Sequence, residues 1–374
     1  MLFSEIVGQE KAKQSLIQTV KIGRISHAQL FLGPEGSGAL PLAIAYAQYI
    51  NCLHPTDTDS CGSCSSCVKF QKLQHPDLHF SFPVIINEKQ KISTDFYEEW
   101  LGALSNDIYL SELNWFLTLD EEGKKQGNIT AAECRDIIKR LGLTAFEAKF
   151  KTMIIWLPEF MGYEANILLK LLEEPPVGTL IIMVSADADK ILATILSRTQ
   201  LFKIPRLKDE DIIAELVSKH ELTHEMAAPI ARVSEGNLVL ARELAGTGRS
   251  NYHELFVKWM RVVYSNVLKS INEVIEEIIS YGKEFIKSFV MYSMQMMRAV
   301  LLSLYADTST IKLSEAEHQF MLKFAQFFHQ QNISEIVDEM NKSLYAIERN
   351  GDMRLTFLNL SFYISRRLGK PQTN

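Results

Sequence analysis

Apolar residues follow two different spacings in the first 205 positions of the chain. Three short runs, "HAQLFLG", "KTMIIWL" and "GTLIIMVSA", are almost continuously apolar. Such runs are typical of strands buried on both faces of a parallel sheet. Segments with helical spacing lie between them, as in "ANILLKLLEEPP", where two prolines end the helix. This alternation predicts an α/β domain over residues 1–206, with a parallel sheet and flanking helices.

The rest of the chain has a helical pattern. Residues 207–250 predict a compact set of short helices, and residues 251–374 predict longer amphipathic helices whose apolar stripes need packing partners. We therefore predict three domains. An irregular stretch near residues 84–126 carries two tryptophans and many charges, and we interpret it as an insertion into the first domain.

Charge and composition exclude some functions. The chain has 39 Lys and Arg against 45 Asp and Glu, a net charge of -6, which argues against a dedicated nucleic-acid coat protein. Neither a secretory signal nor an uncharged apolar run of about 18 residues is visible in the sequence. We expect a cytoplasmic protein without a membrane segment.

Four of the five cysteines, Cys52, Cys61, Cys64 and Cys67, fall within sixteen positions. In a reducing compartment this clustering predicts a metal site rather than disulfides. Four thiolates suit tetrahedral zinc and leave no open coordination position, so the predicted role is structural. Free cysteines in a loop, or an iron–sulfur cluster with similar spacing, are the alternatives.

The stretch "LFLGPEGSGALPLA" has the glycine spacing of a phosphate-binding loop. Gly33 and Gly38 fit the pattern G-x-x-x-x-G-K-[ST], but Ala39 replaces the lysine and Leu40 replaces the hydroxyl residue. In a working site the lysine contacts the β- and γ-phosphates and the hydroxyl holds Mg²⁺. We therefore expect that ATP does not bind tightly.

The second half of a nucleotide site is also missing. The strand "KTMIIW" should end in an aspartate that holds Mg²⁺, but Trp156 and Leu157 occupy the end of this run. Glu159 is a poor substitute because Pro158 redirects the chain just before it. Two independent losses predict a degenerate nucleotide site with no ATPase activity.

Several of these segments occur together in one known family. The chain contains, in order, "FSEIVGQEKAKQSL", "GRISHAQLFLGPEGSG", the four-cysteine module, "HPD", "ANILLKLLEEPP" and "LATILSRTQLFKIP". It resembles the clamp-loader subunits of the bacterial DNA polymerase III holoenzyme, which are AAA+ proteins, over nearly all of residues 1–205. Gamma/tau subunits in this family keep an intact phosphate loop, whereas delta-prime subunits often lose it. The chain is therefore most similar to the delta-prime branch.

This resemblance implies a function. The family fold is an AAA+ domain, a small helical lid and a helical collar that closes five subunits into a ring. The partners it implies are gamma/tau and delta subunits, with the sliding clamp and primer-template DNA reached through the assembled complex. Arg198 lies in "SRT", where the family has Ser-Arg-Cys, and this implies an arginine finger that reaches the ATP of the adjacent gamma subunit. The implied role is a stator that does not hydrolyse ATP.

Two alternative functions stay open from the sequence. An active gamma/tau-type ATPase is one, although Ala39, Leu40, Trp156 and Leu157 argue against it. A zinc-containing nucleic-acid-binding module outside replication is the other, and it predicts that the isolated chain binds DNA with a steep salt dependence.

Overall fold

A computed structural model describes most of the chain, in two compact units. The described residues are 1–87, 90–120, 127–220, 222–246, 252–281, 283–305, 315–328, 330–348 and 351–368. Unit one comprises Met1–Glu215 and Glu235–Leu240, and unit two comprises Leu216–Ser234 and Ala241–Asn374. The boundaries of the three predicted domains stay a prediction.

Unit one is built on a parallel five-stranded sheet. The strands are β1 (Ala28–Leu32), β2 (Leu78–Ser81), β3 (Lys151–Trp156), β4 (Thr179–Ser185) and β5 (Gln200–Lys203). They lie in the order β2-β3-β4-β1-β5, and every neighbouring pair is parallel. Every residue of β3 and β4 is buried. The three central strands were predicted from their apolar runs, and this part of the prediction is confirmed.

Helices cover both faces of this sheet. The helices in this part of the chain are α1 (Glu10–Lys21), α2 (Ala39–Ile50), α3 (Ser65–Gln71), α4 (Tyr97–Asn106), α5 (Glu112–Leu119), α6 (Ala131–Gly142), α7 (Leu169–Glu173), α8 (Ala193–Leu196) and α9 (Asp209–His220). Short 3₁₀ helices span Phe3–Glu5, Ser93–Phe96, Pro158–Leu168 and Ala188–Lys190. On one face, side chains of α6 and of the segment from Pro158 to α8 pack on β1, β3 and β4. Helix α2, buried along its whole length, contacts the same three strands and α1. The predicted α/β class is confirmed.

The predicted insertion is more regular than its sequence indicates, because it contains α4 and α5. Its two tryptophans, Trp100 and Trp115, are fully buried. The Trp100 ring stacks on Phe82 with centroids 4.1 Å apart and meets Trp156 at the end of β3 at 5.3 Å. This aromatic cluster attaches the insertion to the sheet. Residues 88–89 and 121–126 of the predicted insertion lie outside the described residues.

In the described part of the C-terminal region all regular secondary structure is helical, as predicted. Its helices are α10 (His224–Ser234), α11 (Leu238–Gly246), α12 (Tyr252–Ser265), α13 (Leu268–Ser280), α14 (Lys283–Tyr305), α15 (Glu315–Ala325), α16 (Gln330–Glu348) and α17 (Met353–Arg367). Within unit two, the buried Glu317 carboxylate accepts hydrogen bonds from Arg232 and from the Tyr292 hydroxyl, each at 2.9 Å. Within the described ranges, no helix is both long enough and apolar enough to span a membrane.

Candidate functional site

The four clustered cysteines come together at one point beside α2 and α3. Their sulfur atoms all lie within 4.8 Å of one another, and the sulfur atoms of Cys61 and Cys67 are 3.9 Å apart. A tetrahedral ion with bonds of about 2.3 Å to four sulfurs separates those sulfurs by about 3.8 Å, so the cluster has the size of such a site. The four cysteines are therefore placed to bind a metal ion, and the donor set fits zinc.

Backbone hydrogen bonds stabilise the thiolate form at part of this cluster, whereas burial raises the pKa of the Cys52 and Cys67 thiols. The backbone N–H groups of Ser63 and Cys64 donate to the Cys61 sulfur and lower the pKa of this thiol to about 6. Cys64 is the N-cap of α3, and its sulfur accepts a hydrogen bond from the backbone N–H of Cys67. A thiolate is the form that ligates metal, so these bonds favour the coordinating state. No fifth ligand is required, which agrees with a structural rather than a catalytic ion.

The glycine-rich loop makes the turn from β1 into α2. Gly36 and Gly38 have φ values of +72° and +91°, a conformation that side chains with a Cβ rarely adopt. At Gly36 a Cβ would also collide with the Asn237 side chain, and at Gly38 it would lie 3.2 Å from the Tyr109 ring. Thus both glycines are needed for the turn itself. Ala39 and Leu40 follow at the start of α2, and both side chains are buried.

A narrow cleft lies at this loop, and the insertion forms one of its walls. The cleft has a volume of about 80 Å³, against roughly 300–1,000 Å³ for typical ligand pockets. Ile108, Tyr109 and Leu110 line it, together with Glu112 of α5. The Tyr109 hydroxyl accepts the backbone N–H of Val7 at 2.9 Å in a buried hydrogen bond. The insertion therefore packs directly on the phosphate-loop region.

The charge around this cleft is unfavourable for phosphate. Among the described residues that line it, none is lysine or arginine, whereas Glu35 and Glu112 are acidic. Burial raises the pKa of Glu112 and that of nearby Glu159, because desolvation penalises a carboxylate. A triphosphate here would meet carboxyl groups and apolar side chains.

The end of β3 supplies aromatic packing where a nucleotide site would have carboxylates. Trp156 is the last residue of β3 and is buried in the aromatic cluster of the insertion. Leu157 follows with φ of +56° and is also buried. Both residues line the same cleft as the glycine-rich loop, so the structure brings the two predicted halves of the nucleotide site together.

Two polar side chains near the glycine-rich loop hold this region in place. The Gln9 side-chain amide donates to the carbonyl of Ser37 in the loop at 2.9 Å and to the carbonyl of Pro205 at 2.7 Å. Ser185, at the end of β4, donates to the carbonyl of Asp187. These contacts are sufficient to explain both residues as parts of the fold.

Arg198 lies away from the cleft, in the turn between α8 and β5. Its side chain is 34% exposed and pairs with Glu173 at the end of α7, with a shortest distance of 2.6 Å. The sequence around Glu173 indicates only a solvated helix end and does not reveal this pair. The two residues are 25 positions apart, one at the end of α7 and the other in the turn after α8, so no spacing pattern could predict the contact.

Arg198 and the glycine-rich loop lie at opposite ends of the parallel strands. Strand β5 runs parallel to β1 with Gln200 beside Gln29, so Arg198 precedes β5 near the level at which β1 begins. The loop starts at Gly33, after the last residue of β1. About six residues of extended chain separate these levels, roughly 20 Å. Arg198 is therefore too far away to act on a phosphate in its own cleft.

This fold and site define a class of protein. A parallel sheet in which a strand leads through a glycine-rich turn into a buried helix is the framework of α/β domains with a phosphate loop. Residues 8–208 match the family described as DNA polymerase III, delta subunit. This match covers more than half of the chain, and the chain belongs to that family. The predicted DNA polymerase III family is thereby confirmed, while the delta-prime assignment stays a prediction.

Relatives of this chain are named as subunits of DNA polymerase III. DNA polymerase III subunit gamma of Buchnera aphidicola subsp. Baizongia pistaciae (strain Bp) is 26% identical over 266 residues, 68% of this chain and 60% of that protein. DNA polymerase III subunit tau of Escherichia coli (strain K12) is 25% identical over 242 residues, 63% of this chain and 31% of that protein. The aligned part of this chain thus spans between about a third and three fifths of these relatives.

A solved structure covers nearly the whole chain at lower similarity. It is a DNA polymerase III gamma subunit-related protein from Thermotoga maritima, which aligns over 94% of this chain and 99% of its own. The TM-score is 0.42 and the sequence identity is 14%.

Proposed function

We propose that this protein is a delta-prime-like stator of a DNA polymerase III clamp loader. In this role it does not hydrolyse ATP. It joins gamma/tau and delta subunits, and the assembled complex places the sliding clamp on primer-template DNA. Residues 207–250 form the lid and residues 251–374 form the collar that closes the ring.

The observation that carries this proposal is the chemistry of the cleft at the glycine-rich loop. The cleft is small, its Ala39 and Leu40 are buried, and its described lining offers acidic groups and no cationic side chain to neutralise a triphosphate. A lysine and a bound Mg²⁺ normally supply that neutralisation. The glycines are still required because the turn from β1 into α2 needs their backbone conformations. We infer that the loop is retained for the fold and that the cleft holds no tightly bound ATP.

Arg198 gives this subunit a way to act on a neighbour. Its guanidinium is partly exposed at the end of the strands opposite the cleft, which supports a role in trans. A guanidinium beside the γ-phosphate neutralises charge that develops during phosphoryl transfer, and such fingers contribute about 10³–10⁵ in rate. We infer that Arg198 serves the ATP site of an adjacent gamma/tau subunit.

The four-cysteine cluster has a structural part in this proposal. We infer that Cys52, Cys61, Cys64 and Cys67 hold one zinc ion, which cross-links the loop after α2 to the start of α3. Asp59, within this loop, accepts the backbone N–H groups of Phe3 and Ser4, so the module also anchors the N-terminus. Any contact with DNA would be made by the pooled surface of the ring, through phosphates rather than bases.

Two measurements test the proposal. Isothermal titration of the isolated protein with Mg-ATP should give no tight binding and no turnover. Reconstitution with cognate gamma/tau and delta subunits should give an ATPase that the sliding clamp and primed DNA stimulate. Arg198→Ala should then remove the contribution of the one ATP site that faces this subunit. Arg135→Ala, at an exposed arginine of α6, is the matched control and should leave turnover unchanged.

The alternatives give different results. Tight Mg-ATP binding with turnover by the isolated chain would establish an active gamma/tau-type ATPase, as the names of the relatives suggest. Strong DNA binding by the isolated chain, falling steeply with salt, together with failure to assemble with a gamma-like ATPase, would establish a nucleic-acid module outside replication.

A further inference from the structure

The Arg198 guanidinium is held by groups of its own chain. Its Nε and one terminal nitrogen both contact the same Glu173 carboxylate oxygen at 2.6 Å. The other terminal nitrogen donates to the carbonyl of Thr194 at 3.0 Å and to the Ser197 hydroxyl at 3.1 Å. The Ser197 hydroxyl donates its own proton to the same Thr194 carbonyl. The arginine is thus folded back against α7 and α8.

These contacts use most of the donors that a phosphate would need. A guanidinium has five N–H groups. Three hydrogen bonds go to Glu173, Thr194 and Ser197, and the second terminal nitrogen lies 2.6 Å from the same Glu173 oxygen. The pair formed by Nε and its neighbouring nitrogen is the side that binds a carboxylate or a phosphate through two parallel hydrogen bonds. Glu173 occupies that side. A phosphoryl group cannot form this pair of hydrogen bonds without displacing Glu173.

We propose that Glu173 is a latch that keeps Arg198 retracted until the triphosphate of a neighbouring subunit displaces it. This inference rests on the proposed function, because it assigns a regulator to the same arginine. The carboxylate and the phosphate compete for the same two N–H groups, so Arg198 cannot be fully paired with both. In the free subunit the latch keeps the arginine neutralised and ordered.

The strength of the pair sets the size of the effect. Both side chains are partly exposed, at 34% for Arg198 and 49% for Glu173, so water and salt screen their attraction. Pairs of this kind bias an equilibrium by about two- to five-fold. A latch of this strength gives way to a multiply charged phosphate, yet it lowers the fraction of engaged arginine when the neighbouring site is incompletely assembled.

The experiment compares variants in the complete reconstituted clamp loader. Glu173→Gln removes the charge and keeps the side-chain size, and Glu174→Gln removes an adjacent exposed charge as the control. Without sliding clamp or primed DNA, when the neighbouring site is incompletely assembled, we expect Glu173→Gln to raise turnover at the ATP site that faces this subunit by about two- to five-fold. Glu174→Gln should not change turnover. The gain should shrink at high salt, because salt already weakens the pair in the unmodified protein.

A double variant separates a latch from a general structural effect. In the Arg198→Ala background, Glu173→Gln should have no effect on turnover, since there is no guanidinium to release. If Glu173→Gln leaves turnover unchanged or lowers it while Arg198→Ala still impairs the loader, the latch is wrong and the proposed function stands. If Arg198→Ala itself has no effect in an assembled loader, the finger role fails and the latch fails with it.

Discussion

Asp77 anchors the loop that leads into β3, and replacing it with asparagine tests how strongly this loop is held. Asp77 is only 2% exposed. Its carboxylate accepts three backbone N–H groups, from Phe146 at 2.6 Å and from Glu147 and Ala148 at 2.8 Å each. An asparagine side chain has nearly the same shape, but its amide group would point two hydrogens at N–H donors. Asp77 also belongs to the "HPD" segment of the family resemblance.

The magnitude follows from the bonds that are lost. Asparagine has a single acceptor oxygen, and the amide orientation that keeps more bonds accepts the N–H groups of Glu147 and Ala148. The bond from Phe146 to the other carboxylate oxygen is then lost. Hydrogen bonds to charged groups contribute about 1.5–3 kcal/mol each. Because the two remaining bonds are also weakened when the acceptor loses its charge, we expect Asp77→Asn to lower the free energy of unfolding by about 3–5 kcal/mol.

The assay is urea unfolding followed by tryptophan fluorescence. Unit one contains Trp100, Trp115 and Trp156, all buried, so its unfolding changes the emission. With a urea dependence of about 1–3 kcal/mol/M, the expected loss moves the midpoint down by at least about 1 M. Asp57→Asn is the control, because Asp57 is an exposed carboxylate with an ion pair to Lys21, and its midpoint should not move.

The pH dependence of stability provides a second test of the role of Asp77. Burial tends to raise the pKa of Asp77, but the backbone N–H groups outweigh this and the pKa is lowered overall. A lowered folded pKa contributes stability above the unfolded value of about 4, and this stability is lost as the pH falls through the folded pKa. The difference between wild type and variant should therefore shrink below about pH 4. A midpoint shift under about 0.3 M near neutral pH, or one that persists unchanged in acid, would refute this account.

Two further predictions concern the metal module and the insertion. Metal analysis of the purified protein should find about one zinc per chain. Cys67→Ser, at a fully buried cysteine of the cluster, should abolish zinc retention and lower the unfolding midpoint of unit one. Recovery of iron, or a metal-free protein with the same midpoint, would contradict the zinc assignment. Tyr109→Phe removes the acceptor of the buried Val7 N–H and should cost about 1–3 kcal/mol in urea unfolding, without creating ATP binding in a calorimetric titration. An unchanged midpoint would show that this hydrogen bond does not stabilise the insertion.

The central strands could be predicted because burial on both faces leaves a continuous apolar run. The edge strands have no such signature. β5 reads "QLFK" and is mostly exposed, and β2 has only four residues. Their position is set by pairing with β1 and β3, a tertiary effect that the local pattern does not contain. The insertion looked irregular for a related reason, since its order depends on Trp100 and Trp115 packing on residues from outside it.

The candidate site likewise has features that the sequence predicts and features that it does not. The cysteines could be identified from spacing because a metal cluster in one loop is a local feature. The hydrogen bond of Tyr109 with Val7 and the ion pair of Glu173 with Arg198 join distant segments. A single sequence carries no record of such contacts. They arise only when the sheet brings the ends of its strands and the insertion together.

The geometry of the sheet explains how a chain could lose one part of a nucleotide site and keep another. In a parallel sheet the carboxyl ends of all strands lie on one side of the domain and the amino ends lie on the opposite side. The glycine-rich loop, Trp156 and Leu157 follow carboxyl ends, whereas Arg198 precedes the amino end of β5. Substitutions at Ala39 or Leu40 therefore leave the surroundings of Arg198 unchanged. Because the two ends of the strands are about 20 Å apart, a subunit can lose its own ATP site and still present an arginine to a neighbour.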